Sequence, residues 1–148
     1  MQSHIPKKHL VFISHSSKDT WIAKQIALMV TNCGANFFLD EHNVEVGRDF
    51  DEEIRQSLNQ SNELLVLLTP WALERPYIWA ELGAAWARGI LIVGVLHGVN
   101  RAELRSNPAI PVFLKERNLV ELNNVEEYFQ QLAKRVEAGL VEQPESGL

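Results

Sequence analysis

Cysteine is almost absent: Cys33 stands alone among 148 residues. That excludes an intrachain disulfide and any metal site built from clustered cysteines, and its place late in an apolar helical segment suits a small core side chain. Long hydrophobic runs are missing as well. The longest purely apolar stretches are strand-sized, and the first eight residues carry Lys, His and Pro without the apolar stretch of a secretory signal. The expectation is a chain of the reducing cytosol with no membrane partner, in which the sequon Asn59-Gln60-Ser61 goes unused. Positive charge is scarce: Lys and Arg total 14 against 19 Asp and Glu, a formal net charge of −5, so no nucleic-acid partner is expected. His4, His9, His15, His42 and His97 have no metal-ligand spacing, and no metal is expected. Neither G-x-G-x-x-G nor G-x-x-x-x-G-K-[ST] occurs, which disfavours ordinary dinucleotide binding, and internal repeats are absent.

What is present is balanced, with 46% apolar, 22% charged and 8% aromatic residues. A chain of this length buries roughly 68–70% of its unfolded surface, enough for one core without a metal or disulfide. Strand-like runs alternate with helix-period segments, the order of an α/β fold with a parallel sheet. The strands are expected at Leu10 to Ile13, Asn36 to Leu39, Leu64 to Leu68, Ile90 to Leu96 and Leu119 to Leu122. The third is apolar on both faces, as a central parallel strand must be. The fifth reads as an edge, being short with Glu121 inside it.

Between them, apolar residues recur at three- and four-residue spacing. Ile22, Ile26, Met29/Val30 and Cys33 form a first stripe stopped by Gly34; Phe50, Ile54 and Leu58 form a second. Ile78, Leu82, Ala85 and Trp86 form a third, opened by Pro76 and closed by Gly89, and Val125, Phe129, Leu132 and Val136 form the last. Asn107-Pro108 and Ile110-Pro111 forbid a long helix there, leaving a short one around Arg101 to Ser106. Residues 1–8 are expected to be a flexible lead-in, 9–138 one domain, and 139–148 a linker-like tail.

In an open parallel sheet, ligands bind beyond the carboxyl ends of the strands. After the first strand comes Ser14-His15-Ser16-Ser17-Lys18-Asp19, hydroxyls and one cation entering a helix N-terminus; an anion cradle and a plain N-cap turn are both open readings. A long polar loop from Asp40 to Asp49, containing Gly47 and Arg48, follows the second strand and reads as a lid, a binding surface or a solvated connection. Thr69-Pro70-Trp71 follows the third and leads into the segment holding Tyr77, Trp79, Glu81 and Trp86. Tyr77 and Glu81 are four apart and share one helical face. Leu82, Ala84, Ala85 and Trp86 surround Glu81 with apolar groups, which favours a functional carboxylate over a solvated one. Trp71, Trp79 and Trp86 read as packing residues, with Trp71 able to border the cleft.

At these segments the sequence resembles a TIR domain, the Toll/interleukin-1 receptor module, and its bacterial members most closely. Val11-Phe12-Ile13-Ser14-His15-Ser16-Ser17-Lys18-Asp19 is similar to the family's first box, and Phe38-Leu39-Asp40 through Gly47 to Leu58 to its second. Leu64 to Pro70, then Arg75-Pro76-Tyr77-Ile78-Trp79-Ala80-Glu81-Leu82-Gly83-Ala84-Ala85-Trp86, resembles the third-strand and catalytic-helix region. The likeness covers nearly the whole chain in order. It implies a flavodoxin-like fold, a five-stranded parallel sheet of order 2-1-3-4-5 with helices on both faces.

The resemblance also implies an activity: cleavage of the bond between nicotinamide and ribose in NAD+, which enters as substrate with no further cofactor. Carried over, Glu81 is the catalytic glutamate and Tyr77 its aromatic neighbour. The family more often has Trp there, with Ser two residues before it, where this chain has Tyr77 and Arg75. Such a cleavage builds positive oxocarbenium character on the ribose while nicotinamide leaves as a neutral base, so one carboxylate suffices where O-glycosides need two. The substrate-binding set implied is Phe12, Ser14, His15, Ser16, Lys18, Asp40, Arg48, Trp71 and Tyr77. Arg48 reads equally as a solvated surface charge. Family likeness further implies self-association through TIR–TIR contacts, a fused or associated sensor or effector domain, and a signalling role in bacterial immune defence.

Two rival classes stand beside this reading. One is a non-catalytic TIR interaction module; the other is a nucleoside deoxyribosyltransferase, another small α/β enzyme with a glutamate at a ribosyl centre. A phosphoacceptor receiver domain is excluded, because Ser14-His15 and Thr69-Pro70 stand where it needs acidic residues.

Overall fold

The computed structural model describes residues 8–39, 50–115 and 119–142. Five parallel strands pair in one sheet, β1 (Leu10–Ser14), β2 (Asn36–Leu39), β3 (Glu63–Leu68), β4 (Leu91–Leu96) and β5 (Leu119–Glu121), in the order β2-β1-β3-β4-β5. This is the flavodoxin-like arrangement that the sequence leads one to expect. β3 is central, paired to β1 from Val11 opposite Glu63 and to β4 along its whole length. All six of its residues are buried, because helices cover both faces. β5 is the short edge strand, and its Glu121 is exposed.

Among the described residues five α-helices lie between the strands, α1 (Thr20–Asn32), α2 (Phe50–Gln60), α3 (Pro76–Ala87), α4 (Arg101–Ser106) and α5 (Val112–Lys115), and α6 (Glu126–Glu142) follows the last strand. Alternate strand residues point to opposite faces and build two cores. Val11, Ile13, Leu65, Leu67, Val93 and Val95 pack under α1 and α6. Phe12, Leu64, Val66, Leu68, Ile92 and Leu96 pack under α2, α3 and the α4–α5 region. The helix boundaries follow local chemistry. Pro76 opens α3 after an extended Arg75, where its missing N–H costs nothing, and Gly89 beyond its end takes a positive φ of 72°.

Several sequence expectations need correction. The inward face of α1 is Ala23, Ile26, Ala27 and Val30, whereas Met29 is exposed: close approach of the helix to the sheet selects small residues. Trp86 sits on the flank of the α3 stripe, is 57% exposed and stacks on Phe113 of the α5 turn at 5.4 Å between ring centroids. It therefore lies on the surface, as does Trp71, while Trp79 packs against the core. α6 runs through Gly139 to Glu142, so the tail assigned from residue 139 begins inside a helix. The four-residue α5 between Pro111 and Lys115 was not foreseen. Among the described residues no helix is long and apolar enough to cross a membrane, and no three His, Cys, Asp or Glu are grouped to hold a metal ion.

The amino ends of the central strands are closed by a buried charge cluster. Glu63, at the start of β3, is 1% exposed. Its Oε1 accepts from the Tyr128 hydroxyl at 2.6 Å and from Arg135 Nη2 at 2.8 Å. Its Oε2 lies 2.7 Å from His9 Nε2 and accepts from Arg135 Nε at 3.0 Å. Burial alone would raise the Glu63 pKa, but the bonds from His9, Arg135 and Tyr128 overcome that and hold it at about 2. Burial and the Glu63 charge push the Tyr128 hydroxyl well above its ordinary value.

Candidate active site

The candidate site residues from the β1 loop gather at the opposite, carboxyl end of the strands. Ser14 ends β1, and with His15 and Ser16 it is buried. Ser16 caps a short 3-10 turn, Ser17–Asp19, by accepting from the Lys18 N–H at 3.3 Å. The Asp19 N–H returns to the Ser16 carbonyl at 2.8 Å. Asp19 turns its carboxylate inward, where Thr69 Oγ1 donates to Oδ2 at 2.6 Å and itself accepts from the Ala72 N–H at 3.1 Å. The loop after β1 is thereby tied to the loop after β3, and both backbones are fixed by buried hydrogen bonds.

Glu81 sits in the second turn of α3 and is 4% exposed. A carboxylate buried among Ile78, Leu82 and Ala85 needs a polar partner, and Ser14 Oγ donates to its Oε1 at 2.8 Å. One turn earlier, the Tyr77 hydroxyl reaches the His15 carbonyl at 3.3 Å, a long bond that holds the ring beside the same loop. Tyr77 and Glu81 both line a cavity of about 240 Å³ between α2 and α3, as their shared helical face requires. Ile54, Leu58, Ala80 and Ala84 supply its apolar wall, and Arg55, Asn59 and Arg88 its polar one. Among the described residues the cavity thus offers one carboxylate, one aromatic ring and two guanidinium groups.

The fold brings Ser14, His15, Tyr77 and Glu81 together, with Ser16 shaping the turn behind them. Phe12 lies in the buried core, stacked on Phe38 at 5.1 Å between ring centroids, so it supports the loop from below and offers no face to a ligand. Lys18 and Trp71 are exposed and meet each other, the ammonium 6.0 Å from the ring centroid; neither lines the cavity. Asp40 and Arg48 lie outside the described residues. Sequence reading passed over Arg55, Asn59 and Arg88. The usable signal was spacing: Arg88 follows Glu81 by seven residues, two helical turns, which puts it on the same face.

A family model described as TIR domain matches residues 11–136. No curated protein matches the chain by sequence. Among solved structures, the chain is similar to the TIR domain of the Toll-related receptor TRR-2 from Hydra magnipapillata, at 18% identity and a TM-score of 0.61 over 84% of this chain and 94% of that one. It is similar to a metazoan TIR-STING receptor from C. gigas in complex with 2′,3′-cGAMP, at 19% identity and a TM-score of 0.64, covering 89% of this chain and 41% of the receptor. It is also similar to a 2-desoxiribosyltransferase from Leishmania mexicana, at 12% identity and a TM-score of 0.63 over 85% of this chain and 97% of that one. At these identities the likeness is one of fold.

Proposed function

This chain belongs to the TIR domain family, and we propose that it is an NAD+ glycohydrolase, releasing nicotinamide and leaving ADP-ribose or a cyclic variant of it. The observation that carries this reading is the pair Ser14 and Glu81: a buried carboxylate, fixed by one hydroxyl at 2.8 Å, on the wall of a cavity it shares with Tyr77.

The chemistry asks little beyond that. The C–N bond breaks with both electrons passing to the pyridinium nitrogen, so nicotinamide leaves neutral and needs no general acid. Positive charge then develops across the ribose ring, where the Glu81 carboxylate stabilises it in surroundings of low dielectric. Water adds to the anomeric carbon and releases a proton, giving ADP-ribose; a ring atom of the adenine adding instead gives a cyclic product. Tyr77 supplies a face for the nicotinamide or ribose. We assign the protein to the cytoplasm as a signalling or effector module of bacterial defence, active on self-association.

The test is NAD+ turnover at high protein concentration, with products resolved by chromatography, for this chain and Glu81→Gln of matched folding. Nicotinamide release that disappears in the variant supports the reading. Equal release from both proteins removes Glu81 from its role, and no release from either, even when clustered, favours the TIR interaction module. The fold shared with a desoxiribosyltransferase gives a second arm to the same experiment: a panel of deoxynucleosides, whose turnover in place of NAD+ would replace the substrate.

A further inference from the structure

The cavity wall holds more positive charge than the reaction centre needs. Its described lining carries a single carboxylate, Glu81, against two guanidinium groups, Arg55 and Arg88, in a chain whose net charge is −5. Neither arginine is spent on a buried acid. Arg88 Nη2 donates to the Asn59 carbonyl at 3.3 Å, across the groove at the carboxyl end of α2, where unsatisfied helix carbonyls favour a cation. Among the described residues Arg55 meets only Glu52, at 3.6 Å and with both side chains well exposed, a contact worth little. The Asn59 bond therefore fixes Arg88 over the groove while most of its donors stay available.

We propose that Arg88, with Arg55 opposite it, binds the phosphate-bearing part of the substrate. This rests on the glycohydrolase reading for the substrate's identity, though the anion site itself does not. Glu81 and Arg88 lie on one face of α3 about 10 Å apart along the axis, and a long arginine side chain shortens that gap. In a pyridine dinucleotide one ribose separates the bond that breaks from the first phosphate. A substrate whose ribose sits at Glu81 thus directs its diphosphate along the groove toward the two arginines, which suit it through charge and forked hydrogen bonding. These are specificity residues: they select a phosphorylated nucleoside over a bare one and hold it, without touching the reacting carbon.

The experiment pairs kinetics with direct binding on the whole chain. Arg88→Ala is expected to raise KM for NAD+ about tenfold or more, with kcat within about twofold, and to weaken ADP-ribose binding in calorimetry by a similar factor. Turnover of nicotinamide riboside, which has no phosphate, should be unchanged by the substitution. Arg88→Lys should recover part of the loss, and Arg55→Ala, on an exposed turn of α2, should reproduce a smaller version of it with no change in melting temperature. Unaltered KM and ADP-ribose affinity in both alanine variants would overturn the proposal, as would equal losses on NAD+ and nicotinamide riboside. Arg88-dependent binding of ADP-ribose by a protein that releases no nicotinamide would keep the anion site and sink the glycohydrolase reading alone.

Discussion

Ser14 and Glu81, 67 positions apart in the chain, meet through one hydrogen bond of 2.8 Å that joins the end of β1 to the middle of α3. It ties down the carboxylate's Oε1 and so favours one orientation of the acid in the cavity. Ser14→Ala should therefore lower kcat for NAD+ about tenfold, the worth of one hydrogen bond to a charged group, while KM stays close to its starting value. Steady-state kinetics beside a thermal melt checks this; an equal fall in the melting curve and in KM would assign Ser14 to the scaffold.

The Tyr77 ring and its hydroxyl contribute separately. The bond to the His15 carbonyl is long at 3.3 Å, so Tyr77→Phe should change turnover by less than about threefold. Tyr77→Ala removes the aromatic wall of the cavity and should raise KM about tenfold. Measuring the two variants side by side separates the face from the hydroxyl.

Among the described residues Thr69 is the hydroxyl that donates to the buried Asp19 carboxylate, and it also accepts from the Ala72 N–H. Thr69→Val keeps the shape and leaves that carboxylate short of a partner, so unfolding in urea should show a loss of about 1–3 kcal/mol. Thr69→Ser should restore most of it. A valine variant as stable as the parent would show that the link between the two loops is dispensable.

Acid should loosen the fold through Glu63. Its folded pKa of about 2 lies below the ordinary 4.5, so at intermediate pH the unfolded chain binds more protons than the folded one. The stabilisation, roughly 3 kcal/mol, is complete above about pH 4.5 and is lost as pH falls toward 2. Urea titrations at pH 7 and pH 3 should record about 2 kcal/mol of that loss, the rest falling below pH 3, and Glu63→Gln should flatten the difference.

How much of this was legible in the sequence depends on how local each signal is. The three inner strands were readable because each buries a short apolar run, Leu64 to Leu68 on both faces, and α3 because Pro76 and Gly89 bracket it. That Tyr77 and Glu81 share one helical face was readable from their four-residue spacing. Glu63 gave no signal: a glutamate at the start of a strand looks solvated until His9, Tyr128 and Arg135 arrive from 54, 65 and 72 positions away. Arg55 gave no signal for a related reason, since the wall it shares with Arg88 exists only once α2 lies against α3; Arg88 was marked only by its spacing from Glu81. Trp86 misled because hydrophobicity places a residue near a stripe without saying which flank meets the sheet.

The two central strands carry different duties at their two ends. At the amino ends, charge locks β1 and β3 to α6 through His9, Glu63 and Arg135; at the carboxyl ends, Ser14 and Thr69 serve the cavity and its loops. A strand anchored at its foot keeps its register in the sheet whichever side chains its tip carries. Evolution or an engineer can thus rewrite the loop chemistry of this domain, substituting around Ser14 and Thr69, while the anchoring that keeps the sheet in register is stored at the far side of the molecule.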